Sequence, residues 1–275
     1  MQAKLIISII LIITARASAL AQNDEPKPDK VSHAEPLYSD LVRDLGARRG
    51  EKEWNVGLSI EDKKDYHTIG GLVEYEFAPV NRLGIEVEVP FSTHFKTVKN
   101  EREIPTSGIN GIKVATQYTF LVSKKHNLSL AAGYANDFEF HMIREDRKYN
   151  WDPENVFHPF FVAAKRWGNN YHTLLYTGPS LGLDLNTKEL HKEWIINANF
   201  HYMFTGSKNF VGLEVNQHIN HNGLSLVLRP QVRVTLSKQL ALGFVTGIPV
   251  LGKEEGMSMF CRLIYEPRRK GSRQN

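Results

Sequence analysis

From Trp54 almost to the end of the chain, hydrophobic and polar residues alternate one by one. A period of two puts successive side chains on opposite faces of an extended strand. Read by parity, the pattern predicts about twelve strands, beginning near residues 53, 67, 82, 111, 127, 156, 171, 192, 209, 223, 238 and 256. It is cleanest in Val73–Phe77, Leu83–Val89, Ile112–Phe120, Trp194–Tyr202, Val211–His218 and Leu224–Val234. In each, one face is aliphatic or aromatic and the other carries polar or charged side chains. The segments near 156 and 171 are ambiguous. Most of the twelve span about ten residues, enough for a tilted strand to cross a bilayer.

The connections strengthen this reading. Short turns are expected at Val80-Asn81, Ser123–His126, Gly168–Asn170, Gly206–Lys208 and Ser237-Lys238, alternating with longer polar stretches at Thr93–Asn110, His141–Asn155 and Leu185–Lys192. Short turns on one side and long loops on the other are the outer-membrane barrel arrangement. Trp54, Phe77, Phe120, Trp167, Tyr171, Phe204, Phe210 and Tyr265 all fall at the strand ends nearest the short turns. That placement predicts an aromatic girdle at one interface. The expected fold is therefore all-β: a transmembrane antiparallel up-and-down barrel of about twelve strands, closed because open strand edges do not survive in hydrocarbon. The competing soluble sandwich gives no reason for loop lengths to alternate.

Three stretches fall outside the alternation. Residues 1–21 join a positive start, an apolar run from Leu5 to Thr14 and Ala19-Leu20-Ala21, the pattern of a cleaved secretory signal. Residues 22–52 form a polar, proline-bearing lead-in containing one predicted short helix, where Leu37, Leu41, Val42 and Leu45 recur with helical spacing before Gly46. The barrel is expected over 53–267 and a polar tail over 268–275. Both termini are assigned to the periplasmic side of a bacterial outer membrane, because an even strand count returns the chain to its starting side.

The lead-in also carries a resemblance. His33-Ala34-Glu35-Pro36-Leu37-Tyr38-Ser39-Asp40-Leu41-Val42-Arg43-Asp44-Leu45-Gly46-Ala47-Arg48 resembles the N-terminal block of a group of bacterial outer-membrane β-barrel proteins marked by such a stretch. The resemblance implies export and a barrel, and it brings no activity or site. Outer-membrane lipid and the barrel assembly machinery are the implied partners.

Composition narrows the function classes. The formal charge of +4 comes from 34 basic and 30 acidic residues. Without Lys4 and Arg16 of the leader, the balance is 32 to 30, or about +2. That is too even for a nucleic-acid partner. The single cysteine, Cys261, excludes an internal disulfide and any multi-cysteine metal cage.

Candidate chemistry is sparse. Gly178-Pro179-Ser180-Leu181-Gly182 has the spacing of a nucleophile elbow, but no helical pattern follows it. His218 and His221 sit at an expected hairpin tip with Asn222-Gly223, two imidazoles where a metal needs more ligands. Trp151-Asp152-Pro153-Glu154 reads as a rigid external loop. No catalytic residue, cofactor or metal is expected. By parity, Glu74, Glu76, Glu86, Glu88, Lys113, Glu214, Arg229, Arg233 and Arg262 point into the lumen, an acidic wall facing a basic one. Two functions fit those charges: a passive pore for small polar solutes, or a filled barrel that serves the envelope as a structural or binding protein. A lipid hydrolase of the outer-membrane type is a distant third.

Overall fold

The computed structural model describes residues 28–39, 41–62, 66–96, 106–145, 148–252 and 256–268. The expected signal sequence and its cleavage after Ala21 lie outside these residues, as do the tail beyond 268 and the middle of the Thr93–Asn110 connection. Thirteen strands are described: β1 (Lys52–Asp62), β2 (Tyr66–Val80), β3 (Leu83–Lys96), β4 (Gly108–Ile109), β5 (Gly111–Ser123), β6 (Leu128–Glu145) and β7 (Lys148–Trp167), followed by β8 (Tyr171–Asp184), β9 (Leu190–Met203), β10 (Phe210–Asn220), β11 (Gly223–Thr235), β12 (Leu240–Leu251) and β13 (Ser258–Tyr265). Every pairing is antiparallel. Twelve long strands follow one another around a ring, which closes where Trp54 of β1 pairs with Tyr265 of β13; the two-residue β4 only flanks β3.

On most strands the apolar set faces outward. Val56, Leu58 and Ile60 of β1 are exposed, as are Phe244, Ile248 and Val250 of β12, while Asn55, Glu74, Gln117, Asn197 and Glu214 are buried within the ring. This inverts the soluble pattern, and it satisfies a barrel whose solvent on the outside is hydrocarbon. The girdle exists at the turn end. Trp54 packs on Tyr75 with ring centroids 4.5 Å apart, Tyr171 stacks on Phe200 at 5.8 Å, and Trp167 and Tyr265 are exposed beside them. Phe210 departs from expectation: it is fully buried and points inward against His201.

The long-loop expectation changes too. The predicted loop His141–Asn155, with Trp151–Glu154 inside it, is instead a two-stranded extension in which β6 and β7 stay paired as far as Glu145 and Lys148. Likewise β9 already begins at Leu190, leaving only residues 185–189 as a turn. Alternation fades in these stretches because no hydrocarbon demands an apolar face there, while backbone pairing continues regardless.

The predicted helix does not form. No helix occurs among the described residues, and the chain around Leu37–Leu45 runs as bends and turns, with Asp40 outside the described set. Its backbone is claimed by the wall. The Leu37 N–H donates to Gln231 Oε1 (2.8 Å), Ser39 N–H to Glu214 Oε1 (3.0 Å) and Gly46 N–H to Thr119 Oγ1 (2.9 Å), while Gln117 Nε2 donates to the Arg43 carbonyl (2.6 Å). These bonds tie the segment to β5, β10 and β11 along its length.

Candidate functional site

The lead-in turns back into the barrel and occupies the lumen at the turn end. Its apolar side chains fall into two nests. Leu41, Val42 and Leu45 pack against Ala115, Ala131, Phe160, Val162, Ala164 and Leu174 of β5 to β8. Ala34 and Leu37 pack against Phe210, Ala241, Val245, Phe260 and Ile264 of β10, β12 and β13. The segment comes so close that a Cβ on the facing wall glycines would collide with it. A Cβ on Gly84 would lie 2.5 Å from Arg43 Cβ, and one on Gly243 2.7 Å from Leu37 Cδ2.

Polar contacts fix the register of this segment. Arg43 is buried, and its Nη1 bonds Glu53 Oε2 at 2.7 Å and Glu76 Oε2 at 3.0 Å. Burial works against the Arg43 charge, but the carboxylates of Asp44, Glu53, Glu76 and Glu35 outweigh it and hold the guanidinium above its ordinary pKa. Asp44 is held well below the carboxylate range: burial opposes this, and Arg43 and Lys30 overcome it. Tyr38 lies under the Arg229 guanidinium, which is 3.5 Å from its ring centroid, a cation–π contact. Ser39 Oγ accepts from Asn216 Nδ2 at 2.8 Å.

The structure disperses the nine charged residues read from parity. Glu74, Glu76 and Glu86 are buried on β2 and β3, where Asn55 Nδ2 bridges Glu74 and Glu76 at 2.7 and 2.8 Å. Lys113 lies between Glu86 (2.8 Å) and Glu88 (3.3 Å). Glu214 accepts from Ser39, Asn216 and Gln231, and Arg229 donates to Asn216 at 2.7 Å and to Ser258 at 3.2 Å. Arg233 sits at the turn-end rim, 3.6 Å from Glu266. Arg262 stands 3.8 Å from Glu74. An acidic wall opposed by a basic one is therefore not what closure produces. β13 adjoins β1, so Arg262 joins the acidic side, and most charges are answered locally.

Above the segment, toward the loop end, the lumen widens into a cavity of about 700 Å³ lined by Glu139, Glu154, Ser180, His191, Glu193 and His221 among others. A smaller recess of about 320 Å³ adjoins it, with Glu88, Lys113 and Asp137 in its wall. Ser180 lies inside β8, paired in register with Glu193 and with no elbow around it. His218 pairs with Glu193 at 3.2 Å, and His221 is part of the turn between β10 and β11. Among the described residues, Glu74, Glu86 and Glu88 form the one grouping of three side chains able to reach a common ion, and Lys113 already answers two of them.

The profile of the HAEPLYID-like family matches residues 29–266, which takes in the inserted segment and all twelve barrel strands. The chain belongs to the HAEPLYID-like family. Among curated proteins, none matches the sequence. The fold is shared with solved outer-membrane barrels. An outer-membrane channel from Pseudomonas putida F1 superposes with a TM-score of 0.65 at 10% identity, covering 81% of this chain and 97% of that one. The KdgM porin gives 0.52 at 13% identity, covering 78% and 99%. The β domain of the Bordetella autotransporter BrkA gives 0.52 at 10%, covering 79% and 99%. At these identities the likeness speaks for fold alone.

The octad from which the family takes its name begins at His33, so in this HAEPLYID-like barrel the family's signature is the part that enters the lumen. Sequence reasoning missed the inward-facing receivers Ala131, Phe160, Val162, Ala164 and Leu174. One signal for them was present. The segments near 156 and 171 are ambiguous in parity because both of their faces are apolar, one toward lipid and one toward Leu41, Val42 and Leu45.

Proposed function

We propose that this HAEPLYID-like protein is a channel of the bacterial outer membrane for small polar solutes. Its turns and termini would face the periplasm, and its own N-terminal segment keeps the lumen shut in the state described. The observation that carries this reading is a polar, 700 Å³ vestibule leading inward to a stopper of residues 28–50. A barrel built only as a scaffold has no need of a solvent-sized mouth. The apolar exterior is matched to outer-membrane lipid, and the fold likeness to a channel and a porin supports the same class. Glu139, Glu154 and Glu193 tilt the mouth toward cations, since wall charges bias ion partitioning.

The stopper itself favours a second reading, a permanently filled barrel whose loop-end surface binds a partner. Conductance separates the two. In planar bilayers, deletion of residues 28–50 is expected to raise single-channel conductance severalfold over the parent, with cation preference that falls in Glu139→Gln, Glu154→Gln. A folded deletion variant that remains silent would rule out the channel and leave the filled barrel.

A further inference from the structure

The seat of the stopper contains three buried histidines. His33 comes from the inserted segment, His172 from β8 and His201 from β9, where His172 and His201 are register partners. His172 accepts a hydrogen bond through Nδ1 from the Ala34 backbone N–H at 3.0 Å. An amide N–H can be received only by an unprotonated ring nitrogen, so the ring is neutral with its proton on Nε2. Nε2 is buried without a hydrogen-bond partner among the described residues, as are both nitrogens of His201 and Nδ1 of His33. His33 Nε2 meets Ser129 Oγ at 2.9 Å, and its ring stands edge-on to His172 with centroids 6.5 Å apart.

We propose that His172 is a proton-operated catch: the stopper is held while its Nδ1 accepts from Ala34, and is released when that nitrogen takes a proton. Protonation turns the acceptor into a donor, setting N–H against N–H, and leaves a cation where water cannot reach it. The surroundings offer that cation no relief. Arg166 of β7 is the register partner of His172 on one side and His201 on the other. From the segment, His33 faces it. The nearby carboxylate, Asp44, is engaged by Lys30 and Arg43. At the rim below, Glu266 is shared by Lys208 and Arg233. β6 contributes Ser129 and β10 Phe210, neither of which titrates. The released state therefore binds more protons than the seated one, and acid drives release.

The proposal rests on the channel reading only for its consequence, so its test reads the segment and not the current. Spin labels at Ser32→Cys and Lys238→Cys, in a Cys261→Ser background of the full chain, report the distance between stopper and barrel rim. The parent is expected to give one narrow distribution at about pH 7.5 and a broad, longer one at about pH 4.5, the released fraction rising about tenfold for each pKa unit of differential proton binding. His172→Gln keeps an acceptor for Ala34 that never takes a proton, and is expected to lose most of the acid response, keeping only the part that His33 supplies. His172→Asn serves if that variant does not fold. A parent distribution unchanged by acid, or an acid response retained in full by the glutamine variant, would overturn the catch. A silent segment-deleted barrel would instead sink the channel while leaving the catch standing.

Discussion

Arg43 shows how much one side chain decides. It is buried between Glu53 and Glu76, so removing its charge leaves two carboxylates in a water-poor space with their counterion gone. Breaking one partner of a buried pair costs about 3–5 kcal/mol, far more than the pair contributes relative to apolar packing. Arg43→Gln is therefore expected to unseat the segment rather than unfold the barrel, giving a higher conductance with heat-modifiable gel mobility retained. His33 works the other way. Burial first, then His172 and Arg166, lowers its pKa to about 4 from the usual 6.5. A histidine whose seated value is depressed favours seating above 6.5 and loses that contribution as pH falls from 6.5 toward 4. His33→Gln is expected to flatten that part of the acid profile, measured by the same label distances.

At the scale of elements, β3 and β12 hold the stopper by what they lack. Gly84 admits the segment at Arg43 and Gly243 admits the Leu37 side chain because they have no Cβ, and each lies on the lumen side beneath a residue of the octad or its continuation. Gly84→Val and Gly243→Val are expected to leave strand pairing intact and to expel the segment, raising its proteolytic cleavage severalfold in the reconstituted protein. Leu37→Ala tests the apolar side of the same seat. Truncating a buried leucine costs about 2–5 kcal/mol, and in a segment joined to the barrel at one end that loss is expected to appear as increased segment mobility. Much of this was legible in part. Eleven of the twelve predicted strand starts lie within two residues of the observed ones, because alternation is imposed locally by lipid on one side and water on the other. The exception of consequence, β7, begins at Lys148 rather than near 156, since its first turns of pairing lie where that imposition ends.

For the whole molecule, the stopper and the vestibule divide the lumen into a closed turn end and an open loop end. Conductance of the segment-deleted barrel, and its loss of cation preference in Glu139→Gln, Glu154→Gln, are the measurements that belong to this scale. The sequence by itself determined the strands, their parity and the aromatic belt, all consequences of steric rules and solvents that act within a few residues. It also marked His33–Arg48 as distinctive, yet its leucine spacing pointed to a helix. Only the tertiary structure decided what that block does, because its partners are remote: Leu37 meets Gln231 across 194 positions, and Ala34 meets His172 across 138. Ring closure brings those groups together, and no pattern within a few residues of the block could have shown them.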